Sequence, residues 1–400
     1  MPYNRLSSVL DATISVAAVG RRALPGLAAT VIALIAASAA VAAKPPPLPS
    51  RELLLADQAA FGALTADGLE LADELWWKPQ LGFYAARPDG GGPEPVAYLW
   101  WTFPLFEAKA AAALATPTPA NKAALNDFAA RAEKYWDPTA GGGVGAYSSS
   151  YNARYTGNPY FDDNGWWGIA YMDAYAATKN TRWLKDATRG LTFIDRYGWD
   201  AKGGGGIWWD FGREKKTSES LAAGTLIAAK LYAATRTSKY LAIAKKYIAW
   251  AEAHTLNPRQ GNLYGRNAAD DTVMDYVEGM MISAQVSLCT STKQTRYCTR
   301  AQQLAEASLE QFPILADWAP ETDVIYLRGL LDLYAKDRNP RWYAVVYANA
   351  RAARDNARDD DGLWSRKWNG DWASPQGTLY THAATVQLFA WLAGATPPDV

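Results

Sequence analysis

The stretch LYAATRTSKYL, residues 231–241, has three near copies: AYAATKNTRWL from Ala174, LCTSTKQTRYC from Leu288 and LYAKDRNPRWY from Leu333. The ring near the end of each falls at Trp183, Tyr240, Tyr297 and Trp342. Each copy reads as the end of one helix, a short polar turn, and the start of a second helix. The second helix opens on a polar residue, a base and an aromatic, then runs apolar at helical spacing, as in YLAIAKKYIAWAE. FEAKAAAALATPTPANKAALNDFAARAEKYW is an earlier, weaker copy.

A second feature recurs in phase. After each second helix comes a turn-rich, aromatic-bearing stretch: WDPTAGGGVGAY, WDAKGGGGIWWD, LNPRQGNLYG and DDDGLWSRKWNG. Such glycine density excludes helix interiors, so these loops emerge at one end of a stack of helical hairpins. Repeated hairpins stack side by side. With an N-terminal helix and the last segment, LYTHAATVQLFAWLA, about six pairs are available. The expected fold is all-α: an (α/α)6 barrel of six helical hairpins, one domain over residues 66–396, with the loops forming a cleft at one mouth. Residues 44–65, containing KPPPLPS, read as a linker and N-terminal lead-in.

The N-terminus reads as a signal peptide over residues 1–43. Arg21 and Arg22 precede the apolar run from Leu24 to Ala43, and Ala40 and Ala42 give an A-x-A cleavage pattern. The expectation is a secreted or periplasmic protein with no stable membrane span after cleavage. Lys+Arg and Asp+Glu are both 40, so no basic field for nucleic acid is implied. Cys289 and Cys298 lie in the turn of one hairpin; either a disulfide or two packed free thiols fits. Two cysteines and two histidines are too few and scattered for a zinc site.

The chain carries 18 Trp and 22 Tyr against 10 Phe. A core that needs only bulk is served by Phe. Rings with a polar edge suit half-wet surfaces, such as a cleft for a flat, hydroxyl-rich ligand. YFDDNGWWG, residues 160–168, stands just after the first glycine loop. Two carboxylates flanking a scissile bond are the equipment of glycoside hydrolysis, and placing them together drives their apparent pKa values apart. Asp162 and Asp163 fit that chemistry, with tryptophan walls to raise one pKa. Asp-Asp-Asn before an apolar run also suits a helix N-terminus. Glu278, in YVEGMM, begins an apolar helix; it reads as either a substrate contact or a helix N-terminal acid.

Together the motif and the repeat resemble glycoside hydrolase family 76, the α-1,6-mannanase family. The likeness rests on YLWWTFPLFEAKAA, YFDDNGWWGIAYMDAY, GGGIWWD, KTSESLAAGTLIAAKLY, YVEGMMISA, YLRGLLDLY and THAATVQLFAWLA, in that order. It implies an (α/α)6 barrel and endo-acting, retaining cleavage of α-1,6-mannan, without a metal or organic cofactor. It implies Asp162 as nucleophile and Asp163 as general acid/base. Trp208 and Trp209 are expected to stack on sugar rings, with Asn164, Trp167, Trp101, Glu278 and Arg328 as further substrate contacts. The chain departs from the family where KTSESL replaces Lys-Asn-Ala-Ile-Ser-Asn, where Glu278 follows Tyr-Val rather than a Tyr-Asn-Gln run, and where His382 replaces a Gln. These positions are expected near the glycan, so the linkage or sugar recognised can differ from α-1,6-mannan. The partner is a polysaccharide and the expected state a monomer. Transglycosidase action and a non-catalytic glycan-binding role on the same scaffold are the alternatives. An epimerase would want more histidines than two, and a polysaccharide lyase would want a basic cluster to neutralise uronate charge.

Overall fold

The computed structural model describes residues 46–90, 95–153, 157–312, 315–373 and 378–399. The expected signal peptide lies outside them. Among the described residues there are twelve helices of 13 residues or more: α1 (Arg51–Leu75), α2 (Leu99–Ala115), α3 (Pro119–Ala132), α4 (Phe161–Thr178), α5 (Thr181–Phe193), α6 (Ser218–Thr235), α7 (Ser238–His254), α8 (Asp275–Thr292), α9 (Thr295–Gln311), α10 (Pro320–Asp337), α11 (Pro340–Asn356) and α12 (Leu379–Gly394). Helix α1 starts at Arg51 and packs on α12, so most of the stretch read as lead-in is helix.

The even-numbered helices touch in sequence, α2 to α4, α6, α8, α10 and α12, and α12 returns to α2. They form a closed inner ring. The odd-numbered helices pack outside it. The fold is an (α/α)6 barrel. Sequence explains which helices go where. The inner helix α6, SESLAAGTLIAAKLYAAT, is buried on nearly every face. The outer helix α5 buries one stripe, Trp183, Asp186, Ala187, Gly190, Leu191 and Phe193, and leaves its other face wetter. The recurrent rings Trp183 and Trp342 are almost fully buried in the outer layer. Their indole N–H groups are satisfied by Asn126 and Asp337.

Two inner helices approach unusually closely. A Cβ on Gly279 of α8 would stand 2.4 Å from the Cα of Tyr326, and one on Gly329 of α10 would stand 2.5 Å from the Gly279 carbonyl oxygen. Only glycine at both places permits that crossing.

The recurring turn has one geometry. Helices α4, α6, α8 and α10 each end on a left-handed residue: Lys179, Arg236, Lys293 and Arg338, with φ between 57° and 62°. The left-handed residue's N–H closes back on the helix, a C-terminal stop usually made by glycine. Here a base takes the place, where the negative end of the helix dipole favours it. Cys289 and Cys298 are joined in a disulfide across the third of these turns.

The glycine-rich stretches form short antiparallel hairpins at the opposite end. Trp136–Asp137 pairs with Ala146–Tyr147, and Leu256–Asn257 pairs with Leu263–Asn267, which also pairs with Asp270–Val273. Each lies just before the N-terminus of an inner helix. No helix among the described residues is long and apolar enough to cross a membrane.

Candidate active site

Asp162 and Asp163 occupy the first turn of α4, with Tyr160 at the N-cap contributing no side-chain cap. Consecutive residues on a helix point about 100° apart, and the two carboxylates find different partners. Asp162 Oδ2 accepts from the indole Nε1 of Trp209 at 2.8 Å, and its Oδ1 accepts from the backbone N–H of Asp163 at 3.0 Å. Asp163 Oδ2 meets the hydroxyl of Ser149 at 2.6 Å. Trp209 belongs to the loop before α6 and Ser149 to the loop before α4, so the pair is held between two walls of the mouth. The loop carrying Trp209 is itself docked on α4, because Phe161 N–H donates to the Trp209 carbonyl at 2.8 Å.

Burial dominates the electrostatics. It raises Asp162 well above the usual aspartate range, helped by the charge of Asp163 and opposed by the Trp209 hydrogen bond. Burial pushes Asp163 up to about 6, against the Ser149 hydrogen bond. Glu219, on the first turn of α6, is a third carboxylate here. Burial raises it too, and its charge adds to that felt by Asp162.

An aromatic collar surrounds the pair. Trp100 of α2 lies 4.9 Å from Trp166 of α4 and 5.5 Å from Tyr380 of α12, and Trp166 lies 6.2 Å from Tyr276 of α8 (centroid distances). Trp101 sits beside Trp100 on α2, half-buried against Tyr98. Trp208 and Trp209 are half-buried, with Lys216 and Lys215 over their rings at 5.0 and 3.8 Å.

Several expected contacts stand elsewhere. Trp167 is fully buried against the outer layer, its indole donating to the Ala132 carbonyl; Trp166, one residue earlier, is the ring that faces the barrel axis. Asn164 is fully buried and bonds the backbone of Tyr147 and Tyr160. Glu278 and His382 prove to be braces of the same kind and do not line the cleft. Glu278 Oε1 accepts from Tyr264 N–H at 2.6 Å, and His382 Nδ1 accepts from Trp364 N–H at 3.2 Å while Nε2 donates to the Gly68 carbonyl. All three occupy the fourth position of an inner helix and pin the loop that arrives before it. Burial pushes Glu278 up to about 8 and His382 down to about 4.

Arg328 lies deeper, more than two turns into α10. Its Nε donates to Asp332 at 2.9 Å and its guanidinium covers the ring of Trp391 at 3.2 Å. Lys230 pairs with Asp173 at 2.5 Å nearby, and burial pushes Glu107 of the same cluster up to about 8. The cavity they enclose has contributions from all six inner helices and holds about one water.

Ser149, Trp100, Tyr276 and Glu219 thus stand around the pair although the motif reading passed over them, and Trp166, read there as a wall of the pair, takes the place expected for Trp167. One signal for Trp166 is present in the sequence: Asp162, Trp166, Ile169 and Asp173 follow the i, i+4, i+7, i+11 stripe of one helix face.

The fold is shared with solved enzymes. A family 76 glycoside hydrolase from a bovine Bacteroides thetaiotaomicron strain superposes with a TM-score of 0.74 at 22% identity, covering 83% of this chain and 77% of that one. An α-1,6-mannanase from Salegentibacter sp. HEL1_6 gives 0.68 at 18% identity, covering 84% and 98%. An inactive variant of the latter, with two adjacent aspartates replaced by asparagine and α-1,6-mannotriose bound, gives 0.68 at 18%, covering 83% and 99%. No curated protein matches the sequence. The family profile described as Glycosyl hydrolase family 76 matches residues 74–387, most of the barrel, and the chain belongs to that family of glycoside hydrolases.

Proposed function

We propose that this chain is an exported, monomeric, retaining glycosidase that cleaves α-1,6-mannan or a closely related α-mannoside polymer, with Asp162 as nucleophile and Asp163 as general acid/base. The observation that carries this reading is the divergence of two adjacent carboxylates, Asp162 half-buried and Asp163 buried, onto Trp209 and Ser149. The α-mannanase neighbours and the paired-aspartate variant holding α-1,6-mannotriose support the substrate class. Export is supported by the leader pattern at residues 1–43 and by a disulfide, which persists in oxidising compartments.

The partners suggest the roles. Both oxygens of Asp162 face groups that only donate, an indole N–H and a backbone N–H, and the helix N-terminus adds a favourable dipole. That environment suits a carboxylate that must be ionised to attack. Asp163 faces a hydroxyl, which donates to a carboxylate or accepts from a carboxylic acid. Burial keeps one proton on the pair near neutral pH and raises Asp162 further than Asp163, so the proposed roles require that proton to sit on Asp163 once the glycan is bound. In the first step Asp162 attacks the anomeric carbon while Asp163 gives its proton to the departing glycosidic oxygen. In the second, Asp163 takes a proton from water, whose oxygen displaces Asp162 and restores the original anomer.

The test uses the mature protein with Asp162→Asn and Asp163→Asn variants on unbranched α-1,6-mannan and a panel of other glycans. Early release of α-anomeric oligosaccharides, lost in both variants, is expected. Activity confined to another glycan would move the substrate and keep the pair; β-anomeric product would overturn the retaining mechanism. Binding without cleavage in all three proteins would favour a glycan-binding role.

A further inference from the structure

All 18 tryptophans fall among the described residues, and two are exposed: Trp318 at 45% and Trp372 at 56%. Indole surface left in water is unfavourable, and when exposed rings cluster they mark a binding surface. Trp318 precedes α10 and Trp372 lies in the turn before α12, at the same end of the barrel as Asp162.

The two loops are fastened to each other. Asn369 N–H donates to the Ala316 carbonyl at 2.9 Å, its side-chain amide donates to Asp317 at 2.7 Å, and Lys367 Nζ donates to the Asp317 carbonyl at 3.1 Å. The rings are braced as well. Trp318 meets Phe312 edge-on at 5.6 Å, and the Arg366 guanidinium sits 4.6 Å from the Trp372 ring. These are held surfaces rather than loose side chains, so little rotamer freedom is lost when a ligand stacks on them.

Their position gives them a partner. Helix α10 is three places round the ring from α4 and so faces it across the mouth, and α12 adjoins α10. Trp209 stands on the near side, bonded to Asp162. We propose that Trp318 and Trp372 form a distal subsite that stacks on pyranose rings of the bound polysaccharide several sugars away from the scissile bond, on the far rim. Charges on these loops are of both signs (Asp317, Asp371, Arg366 and Lys367), so the occupant is a neutral hexose polymer. This inference rests on the reading of Asp162 and Asp163 as the catalytic pair.

The experiment compares Trp318→Ala, Trp372→Ala and the double variant with the wild type, with Leu114→Ala, at the other end of the barrel, as a surface control. Affinity electrophoresis in gels containing α-1,6-mannan is run in an Asp163→Asn background. The ratio of kcat/KM on long mannan to that on α-1,6-mannotriose is measured in the active enzymes. The double variant is expected to weaken retardation about tenfold and to lower the ratio about tenfold, with a melting curve like that of the control. Unchanged retardation and ratio would overturn the subsite and leave the catalytic reading intact. If the wild type cuts no glycan, the same gels are run with each polysaccharide of the panel. Retardation lost in the double variant would then keep the subsite while the catalytic reading falls, and no retardation by any polysaccharide would overturn both.

Discussion

The indole N–H of Trp209 ends 2.8 Å from Asp162 Oδ2, on a loop whose backbone is hydrogen-bonded to the residue before that aspartate. The contact lowers the pKa of Asp162, while Ser149 does the same for Asp163. Removing each donor therefore moves a different limb of the pH–rate profile. In Trp209→Phe the Asp162 pKa rises, so in the glycan complex, which kcat reports, the ionised nucleophile is lost at higher pH and the acid limb of kcat moves up by about one unit, the value of a hydrogen bond to a charged group. In Ser149→Ala the Asp163 pKa rises, the proton is retained longer, and the alkaline limb moves up. Movement of the same limb in both variants would refute the assignment of roles.

His382 predicts an acid-side loss of stability. Burial holds it near pKa 4, against 6.5 for the free side chain. Between those values the unfolded chain binds a proton that the native barrel does not. The stabilisation from the neutral imidazole is complete above pH 6.5 and is lost as pH falls toward 4, by about 3 kcal/mol at most. Urea midpoints measured from pH 7 to pH 4 should show this slope, and it should shrink in His382→Gln, whose amide can still accept from Trp364 and donate to Gly68.

The crossing of α8 and α10 predicts intolerance of a single methyl group. Gly279→Ala places its Cβ against backbone, which cannot swing aside. Overpacking of this kind destabilises by about 1–3 kcal/mol or more, and the melting temperature should fall by several degrees. Gly62→Ala, where the nearest atom would be an ordinary 3.9 Å away, should leave it unchanged or slightly raised.

The disulfide closes a short loop, with a sequence separation of 9. Chain-entropy reasoning gives it about 2–3 kcal/mol. The Cys289→Ala/Cys298→Ala double variant should melt earlier by that measure under oxidising conditions, and addition of dithiothreitol should bring the wild type toward it.

The barrel was legible in the sequence because its hairpin turn recurs nearly letter for letter, and the base at its sixth position is the left-handed stop in every copy. Helix α1 was less legible: RELLLADQAAFGALTADGLELADEL follows a proline-rich stretch and matches no copy of the repeat. The aspartate pair stood out by its company. Its supports did not. Ser149 lies in a featureless serine run 14 residues before Asp163, too far for helical periodicity to report. Glu278 looked like a cleft residue because it opens an inner helix, and His382 because it replaces a Gln of the family, yet the fourth helical position turns toward the preceding loop. Their partners lie 14 and 18 residues back, a distance that periodicity does not report. Trp166 and Trp167 differ by one step of helix rotation, and only the stripe through Asp162 and Asp173 tells which one faces the axis.

The charged cluster around Arg328 closes the middle of the barrel and leaves space for about one water. The well above it is blind. A polymer has no exit through the far end, so it cannot be threaded through the barrel as through a tunnel. On the proposed endo-acting reading it lies across the rim, meets the aspartates at an internal linkage, and leaves sideways as two fragments. Viscosity of a mannan solution should accordingly collapse long before reducing ends accumulate.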